Sequence, residues 1–510
     1  MNSLRESLLQ TYLKGLEGQA PNPAATAFYA SLDHVQTVSP TVAQTIVREY
    51  RDQRTNLKLI ASENFCSLAT QLAHGNLFTD KYAEGYTGHR FYAGCDNVDT
   101  VEAEASRLAC ELFDAEHAFV QPHSGADANM VAFLAILLGK VQTPELEKLG
   151  AKSAMALSEE DWRRVRASMQ DHRLMALDLY SGGHLTHGYR LNVSGFLFEA
   201  HSYSVDPQSG ELNLDEIAKQ VREVKPLILL AGYSAYPRKI NFAKMREIAD
   251  EVGAVFMVDM AHFAGLVAGK VFTGDYDPVA WAHIATSTTH KTLRGPRGGI
   301  VLCKNEFAEF VDKGCPLVLG GPLSHVMAAK AIAFREALKP EFREYAANVV
   351  TNAQALAETC QSEGMPVLTG GTDNHLLLID VAKGFGINGR QAETALRSCG
   401  ITLNRNTIPF DPNGPWYTSG LRLGTPATTT LGMGPEEMKE IAAIIKLVLG
   451  NTTPAIKTKG KAKGEKSQVK FVLAEDVVQQ ARQRVLDLLG RFPLYPELDL
   501  GMLSQHYEID

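Results

Sequence analysis

The stretch Gly253-Ala254-Val255-Phe256-Met257-Val258-Asp259-Met260-Ala261-His262 decides the fold. Its apolar run does not alternate with polar residues, so it reads as a strand covered on both faces, and it ends on an acid. Working outward, Lys225-Pro226 leads into the apolar run 226–232 (PLILLAG), and a helical pattern follows from Phe242 to Val252. On the other side lie 283–291 (HIATSTTHK) and 298–304 (GGIVLCK), two further strand-like runs. Strand–helix–strand alternation with non-alternating strands predicts an α/β protein built on a mostly parallel sheet with helices on both faces.

The remaining chain is organised around that unit. Residues 1–75 read as a leader, loosely attached over 1 to about 35, followed by an arm helix from Ser39 with Val42, Ile46, Val47 and Tyr50 on one face. Residues 76–325 form the large domain. From 326 to 510 the pattern changes to a long helical stretch running on to Glu358, then a smaller α/β unit, and a final amphipathic helix over Val477–Leu489. The Lys/Gly-rich segment 451–470, almost free of large apolar groups, reads as a mobile linker.

Composition narrows the class. With 510 residues, 45% hydrophobic and 21% charged, the chain has the make-up of a globular protein of two or three domains. A net charge of −8 argues against broad nucleic-acid binding. Seven cysteines at 66, 95, 110, 303, 315, 360 and 399 form no CxxC pair, which argues against a disulfide framework or a zinc site and fits a reducing compartment. The N-terminal segment carries Glu6 and Glu17 and lacks an apolar signal core, and no apolar run is long enough for a membrane span, so a cytoplasmic protein is expected.

Six short segments carry candidate chemistry. Lys291 ends a strand beside Thr288 and His290, before a glycine-rich turn; an enclosed lysine there is a candidate Schiff-base amine. Asp259 is a strand-end acid, costly to bury unless paired. Ser124-Gly125-Ala126 opens a helix, where free backbone N–H groups suit a phosphate. His184 follows Gly182-Gly183, which permit close approach of a ligand. Arg422 lies on a strand bounded by glycines and can bind a carboxylate through paired hydrogen bonds. Tyr82, Glu84 and Tyr92 cluster in one loop, where a carboxylate among aromatics suits proton transfer. Taken singly, each has a plainer reading: a loop lysine, a helix-capping Asp or Ser, a core histidine, a structural ion pair, an interface loop. A metal site at His184 and His187 would need further ligands, and none stands at suitable spacing.

Together these segments resemble serine hydroxymethyltransferase. The matching blocks include LIASENF (59–65), KYAEGYTGHRFYAGC (81–95), QPHSGADAN (121–129), SGGHLTHG (181–188), VDMAHFAGL (258–266), TTHKTLRGPRGG (288–299), GGPLSH (320–325), GGTDNH (370–375) and TSGLRLGTPA (418–427), in order. The resemblance is to a bacterial type with extra N-terminal and internal segments. It implies a type I pyridoxal-phosphate fold, a homodimer with shared active sites, and reversible transfer of a one-carbon unit from L-serine to tetrahydrofolate. The products would be glycine and 5,10-methylenetetrahydrofolate, formed through external-aldimine and quinonoid intermediates. A folate-independent aldolase and a cofactor-free scaffold or RNA-binding relative are the competing readings.

By the same resemblance, Lys291 would hold the cofactor, Asp259 would pair its ring nitrogen and His184 would stack on the ring. Ser124, Gly125 and Ala126 would cradle the phosphate. Ser234 and His262 would contact the cofactor, with His262 near the phenolate oxygen, and Thr288 and His290 would line the lysine. Arg422 and Ser62 would bind the substrate carboxylate. Tyr82, Glu84, Tyr92 and the Gly320-Gly321 turn would come from the neighbouring subunit, with Glu84 moving the proton. Leu179, Gly183, Leu185, Asn406 and the turn Asn413-Gly414-Pro415-Trp416 would meet the folate. The phosphate loop departs from the family's HSGSQAN: Ala126 lacks a hydroxyl, and Asp127 puts an acid near the phosphate.

Overall fold

The computed structural model describes residues 6–459 and 463–509. Its centre is a seven-stranded sheet. In chain order the strands are β1 His117–Phe119, β2 Arg173–Leu177, β3 Glu199–Tyr203, β4 Ile228–Gly232, β5 Val255–Asp259, β6 Ile284–Thr288 and β7 Gly299–Cys303. They lie in the order β1-β7-β6-β5-β4-β2-β3. Strands β3, β2, β4, β5 and β6 run parallel, while β7 is antiparallel to β6 and to β1. The reversal has a local cause: the connection 289–298 holds no helix, and a parallel crossover needs one or an equivalent length of chain. Lys291 therefore sits on a tight loop at the ends of β5 and β6, the edge where open α/β sheets bind ligands.

Alternate strand residues feed two different cores. Leu229, Ala231, Phe256 and Val258 pack with the helix Asp96–Phe113 on one face. Ile228, Leu230, Val255 and Met257 pack with the helix Gly125–Leu137 on the other. That double coverage is why these strands read as unbroken apolar runs.

A second sheet is three-stranded and antiparallel: β8 Leu376–Asp380, β9 Asn404–Asn406 and β10 Gly420–Gly424, with β10 in the middle. Its core takes in Leu377, Ile379, Leu421 and Leu423, together with Leu57 and Leu59 from far upstream.

Four expectations are corrected. The leader is not loosely attached: the helices Leu8–Gly15 and Pro23–Val38 bury Leu8, Tyr29 and Leu32 in a cluster with Leu498, Leu503 and Tyr507. Asp33 accepts hydrogen bonds from the backbone N–H groups of Leu8 (2.8 Å) and Leu9 (2.9 Å). The arm helix, Pro40–Thr55, buries Ala43, Val47 and Tyr50 but leaves Val42 and Ile46 exposed. The long helical stretch after residue 326 is two helices, Ser324–Ala337 and Pro340–Ser362, because Pro340 suits a first helical turn and not an interior. Finally, the Lys-rich segment is a hairpin, with β11 Thr453–Ile456 antiparallel to β12 Lys466–Val472. Gln391 Nε2 donates to the carbonyls of Ser467 (2.7 Å) and Lys470 (3.0 Å), tying the hairpin to the small unit. Part of the expected linker, residues 460–462, lies outside the described residues.

Candidate active site

The loops at the ends of β4, β5 and β6 enclose a cleft of about 340 Å³. Lys291, Asp259, His184 and His262 line it, with Thr288 and His290 beside the lysine and Ser234 opposite. Ser62, Ser124, Gly125 and Ala126 complete the expected residues on its wall. Glu63, Tyr233 and Arg297 line it as well, and sequence reasoning missed all three.

Asp259 is 7% exposed. Its Oδ2 accepts from Asn129 Nδ2 (2.9 Å) and His187 Nε2 (3.1 Å), and its Oδ1 from the Ala261 N–H (3.0 Å). Burial alone would push its pKa up, but the hydrogen bond and charge of His187, with His184 and Asn129 adding, hold it well below the usual carboxylate range. The protonation of the neighbouring imidazoles follows from their partners. The His184 N–H donates to His187 Nδ1 (3.3 Å), so the proton of a neutral His187 is on Nε2, directed at Asp259. Thr286 Oγ1 donates to Asn129 Oδ1 (2.6 Å), and Asn129 Nδ2 donates to Thr186 Oγ1 (2.8 Å). The Thr186 hydroxyl is then free to donate to His184 Nδ1 (2.8 Å). Burial, then the proximity of His187, lowers His184 to about 4, so this ring is neutral near pH 7. His184, His187 and Asp259 have the composition of a metal site, with ligand atoms within 4.8 Å of one another. Those atoms are already engaged in the hydrogen bonds just described, so the cluster reads as a carboxylate-orienting network.

The Lys291 carbonyl accepts from Asn64 Nδ2 (2.9 Å), while its side-chain amine makes no hydrogen bond or ion pair among the described residues. Burial lowers its pKa to about 8; Asp259 works against that, while Arg422 and Arg297 reinforce it. Arg422, at the middle of β10, stands behind the cleft wall and not on it. Its Nη1 donates to the Ser234 carbonyl (2.6 Å) and its Nε to Asn404 Oδ1 (3.1 Å). Among the described residues no carboxylate pairs with it, and burial lowers it to about 10. A buried guanidinium without an anion is a ready acceptor site for one.

Ser124 caps the helix Gly125–Leu137, its Oγ accepting from the Asp127 N–H (3.1 Å). Asp127 carries its carboxylate 3.7 Å from His123 Nδ1 and is partly exposed. Gly183 is obligatory where it stands, since a Cβ there would lie 2.1 Å from the Leu177 carbonyl oxygen. Ser234 Oγ donates to the Gly183 carbonyl (3.0 Å), fixing this glycine turn against the end of β4.

Several expected residues lie elsewhere. The Tyr82 and Tyr92 rings lie 4.8 Å apart, tilted by 60°, and are about half exposed, outside the cleft. A Cβ on Gly321 would sit 3.0 Å from the Tyr82 ring, so the Gly320-Gly321 turn lies with this loop. The Glu84 loop is rigid at its base: Arg90 donates to the carbonyls of Ala83 and Gly85 (2.9 Å each) and pairs with Asp99 and buried Glu102. Leu179 and His184 line a second cleft, of about 400 Å³, that adjoins the first; Leu185 is half exposed beside His184. Asn406 (Nδ2 to the Thr407 carbonyl, 2.6 Å), Asn413 (Nδ2 to Ser419 Oγ, 2.9 Å) and the Gly414-Pro415-Trp416 turn line neither cleft. Trp416 is 63% exposed, with Arg390 5.6 Å over its ring.

The donor set fits a phosphorylated pyridine aldehyde: a lysine lowered toward its neutral form, an acid held ionised, a neutral imidazole, and a capped helix start. Such a site on a mostly parallel sheet with a smaller C-terminal unit defines a type I pyridoxal-phosphate enzyme. A model of the serine hydroxymethyltransferase family matches residues 35–147 and 164–445. Curated relatives named serine hydroxymethyltransferase are 58% identical over 504 residues in Treponema pallidum (99% of this chain, 87% of the relative) and 57% over 480 in Salinispora tropica (94% and 99%). One from Chlamydia trachomatis is 53% identical over 499 residues (98% and 99%). The chain belongs to the serine hydroxymethyltransferase family. The family model skips 148–163, while the Treponema relative aligns across nearly the whole chain.

Proposed function

We propose that this chain interconverts L-serine and tetrahydrofolate with glycine and 5,10-methylenetetrahydrofolate, using pyridoxal phosphate held by Lys291. The observation that carries the assignment of residues is the pairing, in one cleft, of an acid held ionised and an amine biased toward its neutral form, with an unpaired arginine behind them. Pyridoxal phosphate, when bound, supplies an electron-accepting ring that weakens a bond to the α-carbon of an amino acid.

The protein's own groups do the rest. Asp259 keeps a ring nitrogen protonated, and His184 offers a flat, neutral face. The N–H groups at Gly125 and Ala126, with the Ser124 hydroxyl, meet the phosphate. Arg422, oriented by Asn404, receives the substrate carboxylate with Ser62. Tyrosines 82 and 92, Glu84 and Gly320-Gly321 act in the partner's cleft: Tyr82 and Tyr92 are about half exposed, Gly321 lies against Tyr82, and none of the five lines the cleft that holds Lys291 of their own chain. Folate enters beside Leu179 and Leu185, with Asn406 and the 413–416 turn closing from the small unit. Among the described residues no helix is long and apolar enough to cross a membrane, which agrees with the cytoplasmic location we propose.

Subunit mixing tests both the reaction and the sharing of sites. Lys291→Ala and Glu84→Gln are each expected to abolish folate-dependent serine cleavage. After denaturation and refolding together, random pairing leaves about a quarter of the sites intact, so about a quarter of wild-type activity should return. No recovery would mean that Glu84 serves its own chain's cleft. Cleavage independent of folate would replace the transferase with an aldolase.

A further inference from the structure

We infer that His375, a residue outside the cleft, is a positioning residue that fixes His262 as a hydrogen-bond donor into it. His375 precedes β8 and is wholly buried, and its carbonyl accepts from the Thr425 N–H at 3.1 Å. Its Nε2 lies 3.2 Å from Nδ1 of His262, and the two rings are 31° from parallel. His262 is itself buried against the cleft, its carbonyl accepting from Thr292 Oγ1 at 2.8 Å. His375 Nδ1 has no hydrogen-bond partner among the described residues.

Only one of the two facing nitrogens can carry the shared proton when both rings are neutral, and burial beside Lys291 and Arg422 disfavours either imidazolium. If His262 donated through Nδ1, the proton of His375 would have to stand on Nδ1, an orphaned N–H in the core. If His375 donates through Nε2, its Nδ1 is left as a bare lone pair. Buried N–H groups without partners are rarer than under-satisfied acceptors, so the second arrangement is favoured. His262 then has its proton on Nε2, the nitrogen left for the cleft, and it selects an oxygen acceptor with negative charge. On the cofactor reading above, on which this inference rests for its ligand, that acceptor is the phenolate oxygen of the pyridine ring.

The test uses full-length protein with 15N-labelled histidine, in which protonated and bare ring nitrogens of a neutral imidazole resonate far apart. His262 is assigned by the signal lost in His262→Asn. The wild type, with and without pyridoxal phosphate, should show His262 protonated on Nε2. His375→Gln retains an N–H donor and should preserve that state; His375→Leu removes the donor and should mix the His262 tautomers. Cofactor binding should weaken roughly tenfold in the Leu variant and stay within about twofold of wild type in the Gln variant. A wild-type His262 protonated on Nδ1 would overturn the inference. So would equal weakening in both variants, which would reduce His375 to a packing residue. A wild type that shows Nε2 protonation but binds no pyridoxal phosphate would sink the cofactor reading and leave the tautomer assignment standing.

Discussion

The neutral fraction of Lys291 is the quantity on which the site turns, and it can be measured directly. A lysine with a midpoint of about 8 in place of 10.5 is about one-tenth neutral at pH 7, roughly 300-fold more than an ordinary lysine. Burial is the main cause, so the value belongs to the folded apoprotein and not to the bound cofactor. Competitive labelling with trace acetic anhydride, followed by peptide mapping, reads the neutral amine at each pH. Lys291 should label with a midpoint near pH 8, and the midpoint should return toward the ordinary value in denaturant. The charged neighbours set the sign of two variants. Asp259 favours the ammonium form, so Asp259→Asn should move the midpoint down; Arg422 disfavours it, so Arg422→Gln should move it up. A midpoint above 10 in the native protein, or variants shifting in the same direction, would refute the account of how this amine is made nucleophilic.

Three further outcomes follow from the same contacts. His187→Phe removes one donor from Asp259. A carboxylate held low stabilises the fold above its unfolded value of 3.8, and that contribution is lost as pH falls toward the folded value. The variant should therefore be less stable at pH 7, with a shallower further loss below about pH 4 than the wild type in denaturant titrations. Arg422→Leu leaves a substrate carboxylate without its partner, so kcat/KM for serine should fall by an amount equivalent to about 2–5 kcal/mol, read from initial rates. Arg90→Met strands Glu102 in the core and releases the Glu84 loop; urea denaturation should show about 3–5 kcal/mol of lost stability.

The strands around Asp259 were legible in the sequence because both faces of each are covered, which writes apolarity into every position. Lys291 and Asp259 were legible because strand ends at one edge of a parallel sheet collect functional groups. Residues whose role comes from a distant contact were not legible. Asn129 reaches Asp259 across 130 positions and His375 reaches His262 across 113; both end quoted blocks, yet nothing local marks the contact each makes. His187 stood in a quoted motif, yet only the fold shows that its Nε2 serves Asp259. The leader misread as loose has its partners in 498–507, so its apolar stripe had no visible counterpart. The Lys-rich hairpin was missed because its strands are held mainly by backbone pairing and by Asn388 and Gln391, with Phe471 as the contact of its second strand to the apolar core.

That cluster joining the helices of residues 8–50 to the helix Leu500–Tyr507 also sets a timetable. Gln44 donates to the Tyr507 carbonyl across 463 positions, and the Tyr29 hydroxyl accepts from the Asp499 N–H across 470. At about 5–20 residues per second, a ribosome takes roughly 20–90 s to span that interval. Throughout it Tyr29, Leu32 and Val47 wait without their cover, so a newly made chain leaves this apolar surface open until residues 498–507 have been made.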